Sequence, residues 1–177
     1  MVSEASAQNG STPYRYAALA NAIKCASTGD AAALARLVPD APLQPHQVAA
    51  AVRAFLAAGI EPERWTSATW QRWTLIAHGI ALAGHDGSGP LGRQLAEARV
   101  AESRVTKLLT ARDSAFDALV PRLLRLLASK GVAPNWNELG PLILQQASPQ
   151  AEAQTRAEEI RLRIASRYFA AAKTQAA

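Results

Sequence analysis

The side chains that most often carry out catalysis or bind metals are few in this sequence. Its three histidines, His46, His78 and His85, stand 32 and 7 residues apart, which is not the spacing of a metal-ligand pair on a helix. Asp86 follows His85 in a glycine-rich segment, where aspartate serves turns more often than catalysis. Cys25 is the only cysteine, which excludes an intramolecular disulfide. We therefore predict no catalytic residue, no metal and no cofactor.

Arginine is the residue with useful chemistry that this sequence has in quantity. Fifteen of the 19 basic residues are arginine, whose planar guanidinium pairs with phosphate and stacks on bases. Residues 1–89 carry six basic and six acidic residues, whereas residues 90–130 carry eight basic and four acidic ones. The net charge of +5 therefore lies in the C-terminal half. This one-sided excess is typical of proteins with a polyanionic partner, and it is equally typical of a solvated surface that only keeps the protein soluble.

The elements that must position these arginines are predicted to be helices. Alanine, the best helix former, accounts for 40 of the 177 residues, and no stretch shows the alternating pattern of a strand. We predict an all-α fold, a helical bundle of about eight helices in two small lobes. Its expected parts are a flexible N-terminal tail (residues 1–12), an N-terminal helical lobe (13–84), a glycine-rich connection (85–90) and a basic C-terminal helical lobe (91–177).

The same sequence argues against a membrane protein. No apolar run approaches the roughly 20 residues that cross a bilayer. The first residues are polar and lack the basic start and apolar core of a secretory signal. We expect a soluble, cytoplasmic protein without a membrane partner.

Helical spacing assigns several basic residues to exposed faces. Arg104 lies at the edge of the apolar face of its helix and Lys107 lies well outside it. Arg122 and Arg125 lie on the side opposite the apolar stripe that is centred on Phe116. The predicted nucleic-acid-binding residues are Arg36, Arg64, Arg72, Arg93, Arg104, Lys107, Arg122, Arg125, Arg163 and Arg167.

Three tryptophans close together admit two interpretations. Trp65, Trp70 and Trp73 lie near basic residues, as in proteins that stack bases on aromatic rings. Trp70 and Trp73 also share a helical face with isoleucines further along the chain, which favours packing in the core. His78 follows on the same helix, and we expect it to be a packed or partly exposed residue rather than a catalytic one.

Six segments, taken in order, resemble a known family. They are GDAAALAR (residues 29–36), LGRQLA (91–96), ESRV (102–105) with the leucine pair at 108–109, the arginine-bearing helix around the leucine pair at 123–124, NWNEL (135–139) and IASRY (164–168). Together they span about residues 13–170. The string resembles the CasB small subunit of the type I-E CRISPR surveillance complex, Cascade.

The resemblance implies an all-α, non-catalytic subunit, normally present in two copies. It implies that the subunit supports pairing of crRNA with target DNA and holds the displaced, non-target strand of the R-loop. Its partners would be these strands, other Cascade subunits and a second copy of itself. From the residues alone, a helical adaptor that docks on acidic protein surfaces without nucleic acid stays open. A hydrolase that uses His78 and His85 is a third, less favoured interpretation.

Overall fold

The computed structural model describes residues 12–38 and 41–176, and within them all regular secondary structure is helical. The helices are α1 (Thr12–Cys25), α2 (Thr28–Ala35), α3 (Pro45–Ala57), α4 (Ser67–Ala83), α5 (Leu91–Glu97), α6 (Glu102–Thr110), α7 (Asp113–Ser129), α8 (Trp136–Gln145) and α9 (Ala151–Ala176). This confirms the all-α prediction of about eight helices. The predicted tail lies outside the described residues up to position 11. No helix in the described part is long and apolar enough to cross a membrane.

Polar side chains and glycines set the helix ends. Asn135 caps α8 by accepting a hydrogen bond from the backbone N–H of Asn137 at 2.9 Å, as the sequence predicts. Gly131, with φ of 66°, ends α7 after Lys130, which is also as predicted. The sequence also predicts that Gly29-Asp30 caps α2 and that Ser67 caps α4, but the caps lie earlier in the chain, at Ser27 for α2 and at Thr66 for α4.

Helix α7 decides between two expectations for Pro121. The sequence predicts that Pro121 either begins this helix or kinks it. The helix begins at Asp113, so Pro121 lies inside it and is not its start. The buried face of α7 carries Phe116, Val120 and Leu124, which is the stripe that the spacing predicts.

The core runs through the middle of the bundle, where α4 packs against α1, α2, α7 and α8. The ring of Trp136 lies directly on Gly79 of α4, where any Cβ atom would overlap it. Helix α9 packs mainly along α5 and also contacts α6 and α8. Helix α4 touches helices on both sides of the glycine-rich connection, so the two predicted lobes share packing contacts. Their division stays a prediction.

The clustered tryptophans pack in the core. The Phe55 ring lies 5.1 Å from Trp65 and 5.9 Å from Trp70, and the Trp65 and Trp73 rings stack 5.5 Å apart. Trp73 is buried, and Trp65 and Trp70 are half-buried against the core. Packing is thus confirmed over base stacking for this cluster.

The glycine-rich connection is tied to the start of α8. The indole N–H of Trp136 donates to the Gly84 carbonyl at 2.8 Å, and its backbone N–H donates to Nδ1 of His85 at 3.2 Å. The Asn135 side chain donates to the Gly89 carbonyl at 2.8 Å. These bonds fix the direction in which α5 leaves the connection.

Candidate nucleic-acid interface

Three of the predicted residues meet in one groove between α6 and α7. Arg104 and Lys107 come from α6, and Arg122 comes from α7. The groove has a volume of about 330 Å³. Its apolar floor is formed by Leu108, Leu119, Leu123 and Leu126. Among the described residues that line the groove, none is acidic.

Local sequence explains why these cations stand at the rim. On α6 the buried side chains are Val105 and Leu108, so Arg104 and Lys107 on the remaining faces are exposed. Arg122 is exposed on α7, next to the buried Leu123. The leucine floor keeps water from one side of the three charges, which weakens screening and strengthens attraction for an anion. The groove therefore combines a positive rim with an apolar base.

Arg125 is exposed one turn after Arg122 but does not line the groove. It lies near His78 of α4, whose Nδ1 is 3.0 Å from the Leu34 carbonyl. Burial lowers the pKa of His78, and the charge of Arg125 lowers it further. His78 is 3 % exposed, so the prediction of a packed histidine is confirmed.

The two predicted arginines of α9 stand close to other elements of the fold. Arg163 is exposed, and its Nε lies 3.8 Å from Oε1 of Glu138. The same Glu138 carboxylate accepts a hydrogen bond from the Leu91 N–H at 2.7 Å. Arg167 is exposed, with its Cβ beside Gly92 of α5. Part of the Arg163 charge is thus neutralised by Glu138 on α8.

Arg93 pairs within its own helix. Its Nε lies 2.7 Å from Oε1 of Glu97, one turn along α5, and both side chains are exposed. An exposed pair of this spacing contributes only about 0.3–0.5 kcal/mol. Arg93 is therefore free to exchange this partner for a phosphate or for another subunit.

The remaining predicted residues lie apart from the groove. Arg36 is exposed at the end of α2, and Arg64 is exposed in the connection before α4. Arg72 is half-buried and donates to the Ala147 carbonyl at 3.4 Å. Arg72 lines a second, larger groove of about 550 Å³ beside Trp70. The structure does not join these three residues to the basic groove.

Sequence reasoning missed Arg161, which is the buried arginine of α9. It is 4 % exposed, and its Nη1 lies 2.7 Å from Oε1 of Glu158. Its guanidinium lies 5.6 Å from the centre of the Phe116 ring. Helical spacing contains the signal, because Arg161 falls four residues after the buried Ala157 and three before the buried Ile164.

His85 and the glycine-rich connection serve structure. The Ser88 N–H donates to Oδ1 of Asp86 at 2.8 Å, which confirms the role of Asp86 in a turn. Hydrogen bonds from the side chain and the backbone of Ser88 lower the pKa of Asp86. Burial lowers the pKa of His85, whose Nδ1 accepts the N–H of Trp136. Within residues 12–38 and 41–176 no cluster of histidine, cysteine or carboxylate side chains has the makeup of a metal site.

Fold and groove together define an all-α protein with an arginine-lined, apolar-floored surface. Residues 30–169, which are 140 of the 177 positions, match the family described as CRISPR-associated protein Cse2. The chain belongs to this family, the CasB small subunits of type I-E Cascade, and it is a CRISPR Cascade subunit. The resemblance given by the six sequence segments is thereby confirmed. No curated protein and no solved structure matches the chain.

Proposed function

We propose that this chain is the non-catalytic small subunit of a cytoplasmic Cascade complex and that it binds nucleic acid through the groove between α6 and α7. The ligands would be crRNA paired with target DNA and the displaced strand of the R-loop. The observation that carries the proposal is the convergence of Arg104, Lys107 and Arg122 on one apolar-floored groove.

The chemistry of the groove fits a sugar–phosphate backbone. Guanidinium and ammonium groups pair with phosphate oxygens, and the leucine floor offers apolar surface to sugars and bases. The side chains that line the groove are basic or aliphatic, so they offer hydrogen-bond donors to phosphate oxygens and no acceptor for the amino groups of bases. Binding should therefore be independent of sequence, as suits a complex in which base pairing with the guide selects the target.

Two exposed apolar side chains support contacts with other protein chains. Leu162 is 71 % exposed and Phe169 is 44 % exposed, and they lie two turns apart on the same face of α9. Burial of such side chains is what a protein interface supplies. We assign this face to contact with another Cascade subunit or with a second copy of the chain.

The proposal is tested by the salt dependence of binding to a fluorescently labelled single-stranded oligonucleotide. The groove variant replaces Lys107 and Arg122 with glutamine. The matched control replaces the exposed Lys24 and Lys173 with glutamine, so both variants have a net charge of +3 (5 − 2). Because bound phosphates release counterions, the groove variant should lose about one unit of log–log salt slope per phosphate contact.

The control variant should keep the slope of the unchanged protein, because its net charge changes but its groove does not. Equal slopes for all three proteins would contradict the proposal. That result would favour the adaptor alternative, in which the arginines dock on acidic protein surfaces. Oligonucleotides of different sequence should bind alike, since phosphate contacts carry no base identity.

A further inference from the structure

Helix α6, which carries Arg104 and Lys107, is joined to its neighbours by two strained residues. Arg99 precedes it with φ of 52°, and Asp113 follows it with φ of 48°. In the described residues, these are the non-glycine positions with positive φ. Such conformations are unfavourable for residues with a side chain and persist where the surrounding contacts enforce them. Contacts with other parts of the fold, and not the backbone preferences of Arg99 and Asp113, therefore hold both ends of α6 in place.

The end of α6 is held by Arg161 of α9. Its Nη2 donates to the Ala111 carbonyl at 3.3 Å, just past the last turn of α6. Glu158 fixes Arg161 from one side, and the Phe116 ring covers it from another. Arg112 completes the network, because it pairs with Glu158 at 2.8 Å and also donates to the Ala111 carbonyl at 2.9 Å.

The start of α6 is held by Tyr168, seven residues further along α9. Its buried hydroxyl donates to the Val100 carbonyl at 2.6 Å. Residues 161 and 168 are two turns apart on one face of α9, so both reach the same neighbouring segment. Helix α9 thus holds the segments at both ends of α6 through hydrogen bonds to the backbone carbonyls of Val100 and Ala111.

Apolar packing alone holds α6 weakly. The helix has nine residues, and only Val105 and Leu108 among them are buried. Short elements with few buried apolar contacts open locally at low free energy. A buried arginine is also expensive to desolvate, and an apolar residue of similar size often serves stability equally well. A role for the hydrogen bond from Arg161 to the Ala111 carbonyl in fixing the position of α6 accounts for a buried arginine in spite of its desolvation cost.

We propose that Arg161 and Tyr168 are positioning residues that hold α6 across the groove and so set the separation of Arg104 and Lys107 from Arg122. The effect that this positioning has on binding of nucleic acid rests on the proposed function of the groove. The effect that it has on the mobility of α6 does not depend on that function. Neither residue lines the groove.

The test compares Tyr168→Phe with a matched control, Tyr16→Phe. Both changes remove one buried hydroxyl, but the Tyr16 hydroxyl has no hydrogen-bond partner in the described part of the protein. Amide hydrogen exchange and binding of a labelled single-stranded oligonucleotide are measured on the full chain. In Tyr168→Phe, exchange across residues 102–110 should be about tenfold faster, the ratio for loss of one buried hydrogen bond.

Binding by Tyr168→Phe should weaken about three- to tenfold with an unchanged salt slope, because every charge is retained while its position is loosened. Arg161→Lys keeps the charge and should change both readouts in the same direction, since an ammonium cannot replace the forked contacts to Glu158 and Ala111. Tyr16→Phe should leave exchange in α6 and binding unaltered. If Arg161→Lys folds poorly, the comparison of Tyr168→Phe with Tyr16→Phe decides whether the proposal holds.

Unaltered exchange in α6 of Tyr168→Phe would overturn the proposal. Faster exchange with unaltered binding, in a protein that does bind the oligonucleotide, would overturn the positioning role. If the unchanged protein does not bind the oligonucleotide at all, the proposed function of the groove fails, and the exchange data alone decide whether α9 holds α6.

Discussion

Replacement of Gly92 by alanine tests the close approach of α5 to α9. Gly92 lies in α5 against α9, and an added Cβ would overlap the carbonyl oxygen of Ile164. It would also stand 2.7 Å from the backbone nitrogen of Tyr168 and 2.9 Å from Cβ of Arg167. Two of these three atoms belong to the backbone of α9, which cannot move aside as a flexible side chain can.

Two effects oppose each other in Gly92→Ala. Alanine is preferred to glycine in a helix by about 1 kcal/mol. Overpacking of a tight contact costs about 1–3 kcal/mol, and a clash with backbone belongs at the upper end of that range. The net loss should be about 2 kcal/mol, which for a chain of this size lowers the melting temperature by about 4–8 °C.

Gly29→Ala is the matched control for this change. Gly29 lies in α2, where the nearest atom to an added Cβ is Oγ of Ser27 at 3.9 Å. Only the helix preference acts there, so the melting temperature should rise by about 1–4 °C. Circular dichroism melts of the two variants should therefore shift in opposite directions. A Gly92→Ala protein that melts at or above the unchanged protein would refute the close packing of α5 on α9.

Three further predictions concern charge and exposed surface. Burial lowers the pKa of His78 and of His85, so the folded protein binds fewer protons than the unfolded chain. The free energy of unfolding should therefore fall as the pH drops below about 6.5. The fall is at most about 1.4 kcal/mol per pH unit for each histidine. Urea denaturation at several pH values above the range of carboxylate titration measures this, and a flat profile would contradict it. Arg93→Ala removes an exposed ion pair, so the melting temperature should change by no more than about 2 °C while oligonucleotide binding weakens; a large drop in melting temperature would mark Arg93 as structural. Replacement of Leu162 and Phe169 by serine should leave the fold intact and reduce co-purification with Cascade subunits, and full retention would remove this face from the interface.

Helix content and most helix ends could be predicted from the sequence because they depend on local chemistry. The cap at Asn135 and the glycine stop at residue 131 follow from side chains within a few positions. The caps of α2 and α4 were placed wrongly because several neighbouring residues can cap a helix. The cap is the residue whose side chain reaches a free backbone N–H at the start of the helix. This residue is Ser27 in α2 and Thr66 in α4.

The groove could be predicted only in part. Helical phase placed Arg104, Lys107 and Arg122 outside the apolar faces of their helices. It could not show that α6 and α7 lie side by side, because that depends on a two-residue junction with a positive φ at Asp113. Arg161 was missed although its spacing places it on the buried face, because arginine is seldom buried unless a partner such as Glu158 pairs with it.

Cross-linking within assembled Cascade tests the central claim most directly. Photoreactive bases are placed in the guide RNA, the target strand and the displaced strand in turn, and the cross-linked peptides of this subunit are identified by mass spectrometry. If the groove between α6 and α7 contacts nucleic acid, at least one strand should cross-link to peptides within residues 102–126. Cross-links confined to residues 12–83, or none to this subunit from any strand, would contradict the account.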